Sequence, residues 1–196
     1  MKESTPFSKA DLKLLNDSKI IERKNRVLKQ IELQFKKLGN NTLINHQSLN
    51  AFSSTPKVSK GENFEGYPFR VLDYPRVFTT NDVFAFRTLI WWGNIISFTL
   101  HLKGKYLITH FSKLKQLLST SELPLYYSNS GNEWSQNPND KNFKLLGTET
   151  LAQLNPKEID FLKIVQVKPL DKINQLNELY QLFLNQLIVP LFYDSI

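Results

Sequence analysis

The 196-residue chain has no cysteine, three histidines, one methionine and seven glycines, and each scarcity removes a class of chemistry. Without cysteine there is no disulfide framework, no thiolate metal site and no cysteine nucleophile, which fits a reducing cytoplasm as the expected location. His46, His101 and His110 stand apart, with no HExxH pair and no acidic loop of EF-hand spacing, so neither a metal nor a cofactor is expected. The glycines form no Walker loop and no GxGxxG run. The longest apolar stretches, Leu89 to Trp92 and Leu187 to Leu191, fall far short of the roughly 20 residues that cross a bilayer. The leading MKESTPFSKADLKLL offers no signal-peptide core, so no membrane partner is expected. No internal repeat is present.

What remains is a hydrophobic fraction of 41% with 22% charged residues, enough for one compact domain over 1–196. The net charge of +7 is unevenly placed: residues 1–60 hold 12 Lys and Arg against 5 Asp and Glu, whereas residues 61–196 hold 13 against 13. The basic excess therefore belongs to an N-terminal helical part, 1–52, and not to the sheet-containing core over 61–196.

Ser8 followed by Asp11 reads as a helix start, with a first helix ending near Asn16. From Ser18, the spacing of Ile20, Val27, Leu28, Ile31, Phe35 and Leu38 predicts an amphipathic helix that Gly39-Asn40 terminates. A third short helix is expected over 42–52, then a connecting loop from Ser53 to Gly61. Aromatic and β-branched density predicts strands at 69–74, 82–92 and 95–103. With Gly93-Asn94 as a two-residue turn, Trp92 pairs with Ile95, Thr88 with Thr99 and Phe86 with His101. A helix over 105–118, strands at 124–128 and 161–168, and a polar loop over 129–141 with an incongruous Trp134 follow. A C-terminal helix begins near Asp171; its stripe is widened by Leu182, Leu184 and Ile188, so it is either central to the core or a homodimer contact. The fold class expected is α+β, an antiparallel sheet of four to six strands packed by N-terminal helices and a long C-terminal helix.

Three candidate sites emerge. Lys19, Arg23, Arg26, Lys29, Lys36 and Lys37 lie off the apolar stripe of the second helix and could follow a phosphate backbone. Against this, Glu22–Arg26 and Glu32–Lys36 are spaced as i, i+4 pairs on a solvated face, and no DNA- or RNA-reading motif accompanies the charge, so nucleic acid is possible but not favoured. Arg87 falls among apolar neighbours opposite Leu100 and needs a carboxylate; Asp73 on the adjacent strand is the expected partner, as a structural lock first, with the alternative that the guanidinium fork in a cleft binds an anionic ligand. Phe86, Thr88 and Trp92 with Thr99 and His101 blend aromatic wall and sparse polar groups in the manner of a ligand pocket, or of a sheet half covered by helices. Glu62, Glu65, Asp73 and Asp82 cluster in sequence without the spacing of a two-metal hydrolase.

The block GENFEGYPFRVLDYPR, followed by FRTLIWWGNIISFTLHLKGKY, resembles a family of uncharacterised bacterial proteins of the kind found in the Bacteroidota, over residues 60–106. The resemblance implies no activity, cofactor or site residue. The leading expectation is a non-enzymatic binding or interaction module; the alternatives are an enzyme without a recognisable motif, using the aromatic sheet face, and a weak nucleic-acid binder through the second helix.

Overall fold

The computed structural model describes residues 6 to 193. Helix α1 (Lys9–Leu15) opens on a reciprocal capping box, in which Asp11 N donates to Ser8 Oγ at 3.2 Å and Ser8 N donates to Asp11 Oδ2 at 2.8 Å. Helix α2 (Lys19–His46) runs past the expected stop at Gly39 and absorbs most of the expected third helix, leaving a 3-10 turn at Asn50–Ser53. Gly39 serves close packing instead of termination. A Cβ there would lie 2.6 Å from Pro56 Cβ and 3.2 Å from Leu72 Cδ1, so the helix can approach the sheet only because this position is bare.

Seven strands form one antiparallel sheet in the order β1-β2-β3-β4-β7-β5-β6. They are β1 (Lys57–Phe64), β2 (Tyr67–Phe78), β3 (Val83–Trp91), β4 (Ile95–Lys103), β5 (Leu125–Ser128), β6 (Lys144–Leu145) and β7 (Phe161–Pro169). Strand β1 replaces the expected loop. It is an edge strand whose polar sequence, KVSKGENF, protects it from further pairing, and that polarity is why it reads as a loop. Gly61 pairs with Phe69, whose ring lies where a side chain at 61 would stand.

One sheet face is covered by helices. Leu28, Ile31, Phe35 and Leu38 of α2, Leu107, Phe111, Leu114 and Leu118 of α3 (Lys105–Ser119), and Leu151 of the short α4 (Thr148–Gln153) join Phe84, Phe86, Phe98, Leu100 and Ile164 in one buried cluster. The C-terminal segment is not a uniform helix. A 3-10 stretch (Leu170–Gln175) leads into α5 (Leu176–Phe183), then a π turn (Leu184–Ile188) and a second 3-10 turn (Val189–Phe192). The wider π turn lets Phe183, Leu184, Leu187 and Ile188 all face inward, each with no exposed surface. Leu184 and Ile188 are thus taken up by the chain's own core; of the three widening residues only Leu182 is exposed. A buried guanidinium ties α2 to the sheet edge: Arg70 Nε donates to Glu32 Oε1 at 2.8 Å. Glu32 is therefore committed to Arg70 and does not form the expected pair with Lys36.

The other sheet face divides in two. Near the β3–β4 turn, Val71, Leu89 and Trp91 form a small apolar cluster with Phe64 and Phe69, and Trp91 Nε1 donates to Phe64 O at 3.0 Å. Farther along the same face lies a polar field, covered by the loop over 129–143.

Candidate functional site

The β3–β4 turn decides which residues share a face. Trp91 pairs with Ile95, leaving three residues, Trp92 to Asn94, in the turn where two were expected, and Asn94 N donates to Trp91 O at 3.0 Å. One extra residue inverts the parity of every pair. Phe86 now lies opposite Leu100 and Thr88 opposite Phe98, both on the helix-covered face and fully buried. Arg87 lies opposite Thr99 and Ala85 opposite His101 on the outer face. The expected pocket is thereby dismantled: Phe86 and Thr88 belong to the core, Trp92 to the turn, and Thr99 and His101 to the other side of the sheet, where Asp73 and Arg87 join them.

These four do converge. Arg87 Nε donates to Asp73 Oδ1 at 2.7 Å and Nη2 to Oδ2 at 2.9 Å, a bidentate fork between paired positions of β2 and β3. The expected lock is present, but opposite Thr99 and not Leu100. One row along, His101 pairs with Lys163 of β7, whose residue is 1% exposed. Lys163 Nζ donates to the backbone carbonyls of Glu133 and Ser135, and sits 5.2 Å from the centre of the Phe143 ring. Burial, aided by the charge on Arg87, pushes its pKa down to about 7 against the opposing pull of Glu133 and Asp140. Burial, with Lys163, Arg87 and Lys103 adding to it, pushes His101 down to about 3, so its ring is neutral near pH 7. The Glu133 carboxylate, with Oε1 3.2 Å from His101 Nε2, does not offset those contributions. Its other oxygen accepts from Lys103 Nζ at 2.7 Å.

The loop over 129–143 closes this field from outside. Its backbone hydrogen bonds are internal turns, Ser135 N to Asn132 O, Asp140 N to Asn137 O and Phe143 N to Asp140 O. Among the described residues, none ties the backbone of 129–142 to a strand. What holds it are Lys163, Lys103, the Asn137 amide on the Glu65 carboxylate at 2.9 Å, and Trp134, edge-on to His101 with ring centres 5.6 Å apart. Beneath Trp134 a cavity of about 10 Å³ touches Arg87, Thr99, His101 and Lys163, room for about one water-sized group. The remaining acids of the sequence cluster have separate duties: Glu62 accepts from Lys24 and Arg70, and Asp82 accepts from Lys105 N. Among the described residues no three His, Asp or Glu are placed to hold a metal ion.

The six cations singled out on α2 are all exposed. Arg23 lies 3.8 Å from Asp17, while Lys19, Arg26, Lys29, Lys36 and Lys37 have no ion-pair partner among the described residues. The expected Glu22–Arg26 contact is likewise not formed.

A broad apolar concavity has no counterpart among the sites expected from the sequence. Leu14 and Leu15 of α1, Ile20, Ile21 and Val27 of α2, Tyr67 and Pro68 of β2, and Trp92 of the β3–β4 turn enclose a groove of about 760 Å³, with Asp17, Arg23 and Lys24 at its margin. Helix α1 buries none of its residues; Phe7, Leu12, Leu14 and Leu15 are all exposed, Leu15 at 70%. Seven residues of helix with an unburied apolar side cannot be stable by themselves in water. The signal was available in Phe7, Leu12 and Leu15, which fit no internal stripe. Lys163 was visible as the one charge inside FLKIVQV, an otherwise apolar strand. Comparison with known proteins finds no matching family model, no matching curated protein and no matching solved structure.

Proposed function

We propose that this protein is a non-enzymatic interaction module whose groove between α1, α2 and the β3–β4 turn receives an acidic amphipathic helix from a partner protein. The observation that carries this reading is the groove itself: eight apolar side chains from four separate segments enclose it, and α1 buries none of its residues. An apolar helix face laid into such a trough is a recurrent mode of recognition. Charge selects the occupant. The whole +7 of the chain falls within residues 1–60, the part that carries α1 and α2, so a second copy would bring like charge to like charge, whereas an acidic helix meets the excess.

The test is titration with a synthetic helix of about 15 residues, carrying Leu at i, i+3, i+4 and i+7 and Glu elsewhere, followed by Trp92 fluorescence and calorimetry. A peptide of the same apolar pattern with Lys in place of Glu is the control. Binding of the acidic helix alone, weakened by salt and lost in Leu15→Asp and Ile21→Asp, is expected; both positions are exposed, so the fold tolerates the change. Equal binding of the Lys peptide, or indifference to both variants, refutes the reading. A dimer in sedimentation that Ile21→Asp dissociates assigns the groove to a second copy instead.

A second reading has its own observation. The five unpaired cations of α2 extend over about 27 Å of helix, a spacing that can follow a nucleic-acid backbone. It requires affinity that falls by about 0.9 log units per log unit of salt for each phosphate contacted. Neutralising Lys29 and Lys36, which do not line the groove, separates the two readings.

A further inference from the structure

The loop over 129–143 and the polar field beneath it form a second locus, independent of the groove. With the loop in place the charges balance: Arg87, Lys103 and Lys163 face Asp73, Glu133 and Asp140. Two of those three carboxylates, Glu133 and Asp140, belong to the loop. The sheet alone retains three cations and one carboxylate, together with the Thr99 hydroxyl, the Ser128 hydroxyl beside Lys163 and the His101 imidazole. Ser128 Oγ and His101 Nε2 belong to residues no more than 5% exposed, and neither has a hydrogen-bond partner. Buried polar atoms without partners are rare because each forfeits its hydration, so a floor holding two of them beside excess cationic charge is suited to a polar anionic occupant.

Glu133 takes that place only in part. Its Oε2 reaches Lys103 Nζ at 2.7 Å, but Oε1, 3.2 Å from His101 Nε2, is buried and makes no hydrogen bond. Its backbone is held through the carbonyls that Lys163 grips, not through any strand pairing. We propose that the loop over 129–143 is a lid on a binding site for a small phosphate-bearing ligand, and that the Glu133 carboxylate stands in for the ligand's oxyanion when the lid is closed. A phosphate monoester matches the two surplus positive charges of the open floor, which one carboxylate does not, and turns three oxygens in a tetrahedral spread toward Lys103, Lys163 and the Ser128 hydroxyl. The cavity of about 10 Å³ is far too small for such a ligand, so the lid must lift to admit it.

The experiment is titration of the full chain with inorganic phosphate, with malonate as the carboxylate comparison and sodium chloride at matched ionic strength. Trp134 fluorescence and thermal unfolding are the readouts, and Trp134→Phe identifies the reporter. Glu133→Gln keeps the size of the stand-in and removes its charge; Glu133→Asp withdraws it from Lys103 and serves if the first variant folds poorly. An occupant that holds the site closed most of the time lowers apparent affinity in proportion, so either variant should respond to phosphate at about tenfold lower concentration than wild type. Lys103→Gln added to Glu133→Gln should abolish the response. The proposal fails if chloride reproduces the effect, if wild type and both Glu133 variants respond alike, or if the response survives Lys103→Gln. Malonate acting as well as phosphate overturns the assignment of the ligand class.

Discussion

His101 offers the most quantitative test of the outer face. The ring is nearly out of solvent, wedged between Trp134 and Phe161 with ring centres 5.6 and 5.9 Å away, and it faces the charges of Lys163, Arg87 and Lys103. Its pKa falls from 6.5 to about 3. The native ring therefore resists a proton that the unfolded ring accepts from about pH 6.5 downward. Between those values the unfolded chain binds more protons, so stability must drop as pH falls, and the loss is complete only below about 3. At about 1.36 kcal/mol per pH unit, acidification from pH 6 to pH 4 costs roughly 2 to 3 kcal/mol through this residue alone. Carboxylates titrate in the same range, so the measurement is a difference: urea unfolding of wild type and His101→Gln at pH 4, 5, 6 and 7. The gap between the two proteins should close or reverse by that amount toward pH 4, because the variant has no proton to refuse. Parallel curves, or a native His101 Cε1 proton resonance titrating near pH 6.5, would refute the argument that burial and the three cations outweigh Glu133.

Three further outcomes follow from packing. Gln166 is fully buried on the helix-covered face, opposite Phe98 and Leu125, and neither of its amide atoms has a partner; Gln166→Met should raise stability by about 1 to 3 kcal/mol, read as a higher urea midpoint at unchanged slope. Gly39→Ala should lower stability by about 1 to 3 kcal/mol through overpacking against Pro56 and Leu72, in spite of the better helix propensity of Ala; a stabilised variant would show that α2 can move off the sheet. Ile188→Asp should unfold the chain, whereas Leu182→Asp should stay within about 0.5 kcal/mol of wild type. A folded, monomeric Ile188→Asp beside a dimeric wild type would return that residue to a subunit interface.

Periodicity located nearly every element that buries an apolar stripe, because burial is what periodicity records. It failed where the chain departs from that logic. Gly39 carries the composition of a helix stop, and only the approach of Pro56, seventeen positions away, shows that a missing Cβ was wanted for packing. Strand β1 is polar because an edge must be, and a polar stretch with serine and glycine reads as loop. The candidate pocket was lost to one residue: the strands on both sides of Gly93 were placed correctly, but a three-residue turn instead of a two-residue turn exchanged Phe86 and Thr88 for Arg87 and Ala85 as neighbours of Thr99 and His101. A strand's inward and outward positions can be listed from sequence, yet which list faces the helices depends on turn geometry that WWGNI leaves open. Sites assembled across segments are harder still. The groove needs Leu15, Ile21, Tyr67 and Trp92 in one place, and the lid needs Glu133 to meet Lys103 and Lys163 across thirty positions on either side. Each residue announces itself only as an anomaly of its own segment, an exposed leucine or a lysine inside an apolar strand. Such anomalies are where local patterning and the fold disagree, and they are the positions at which substitution separates function from folding.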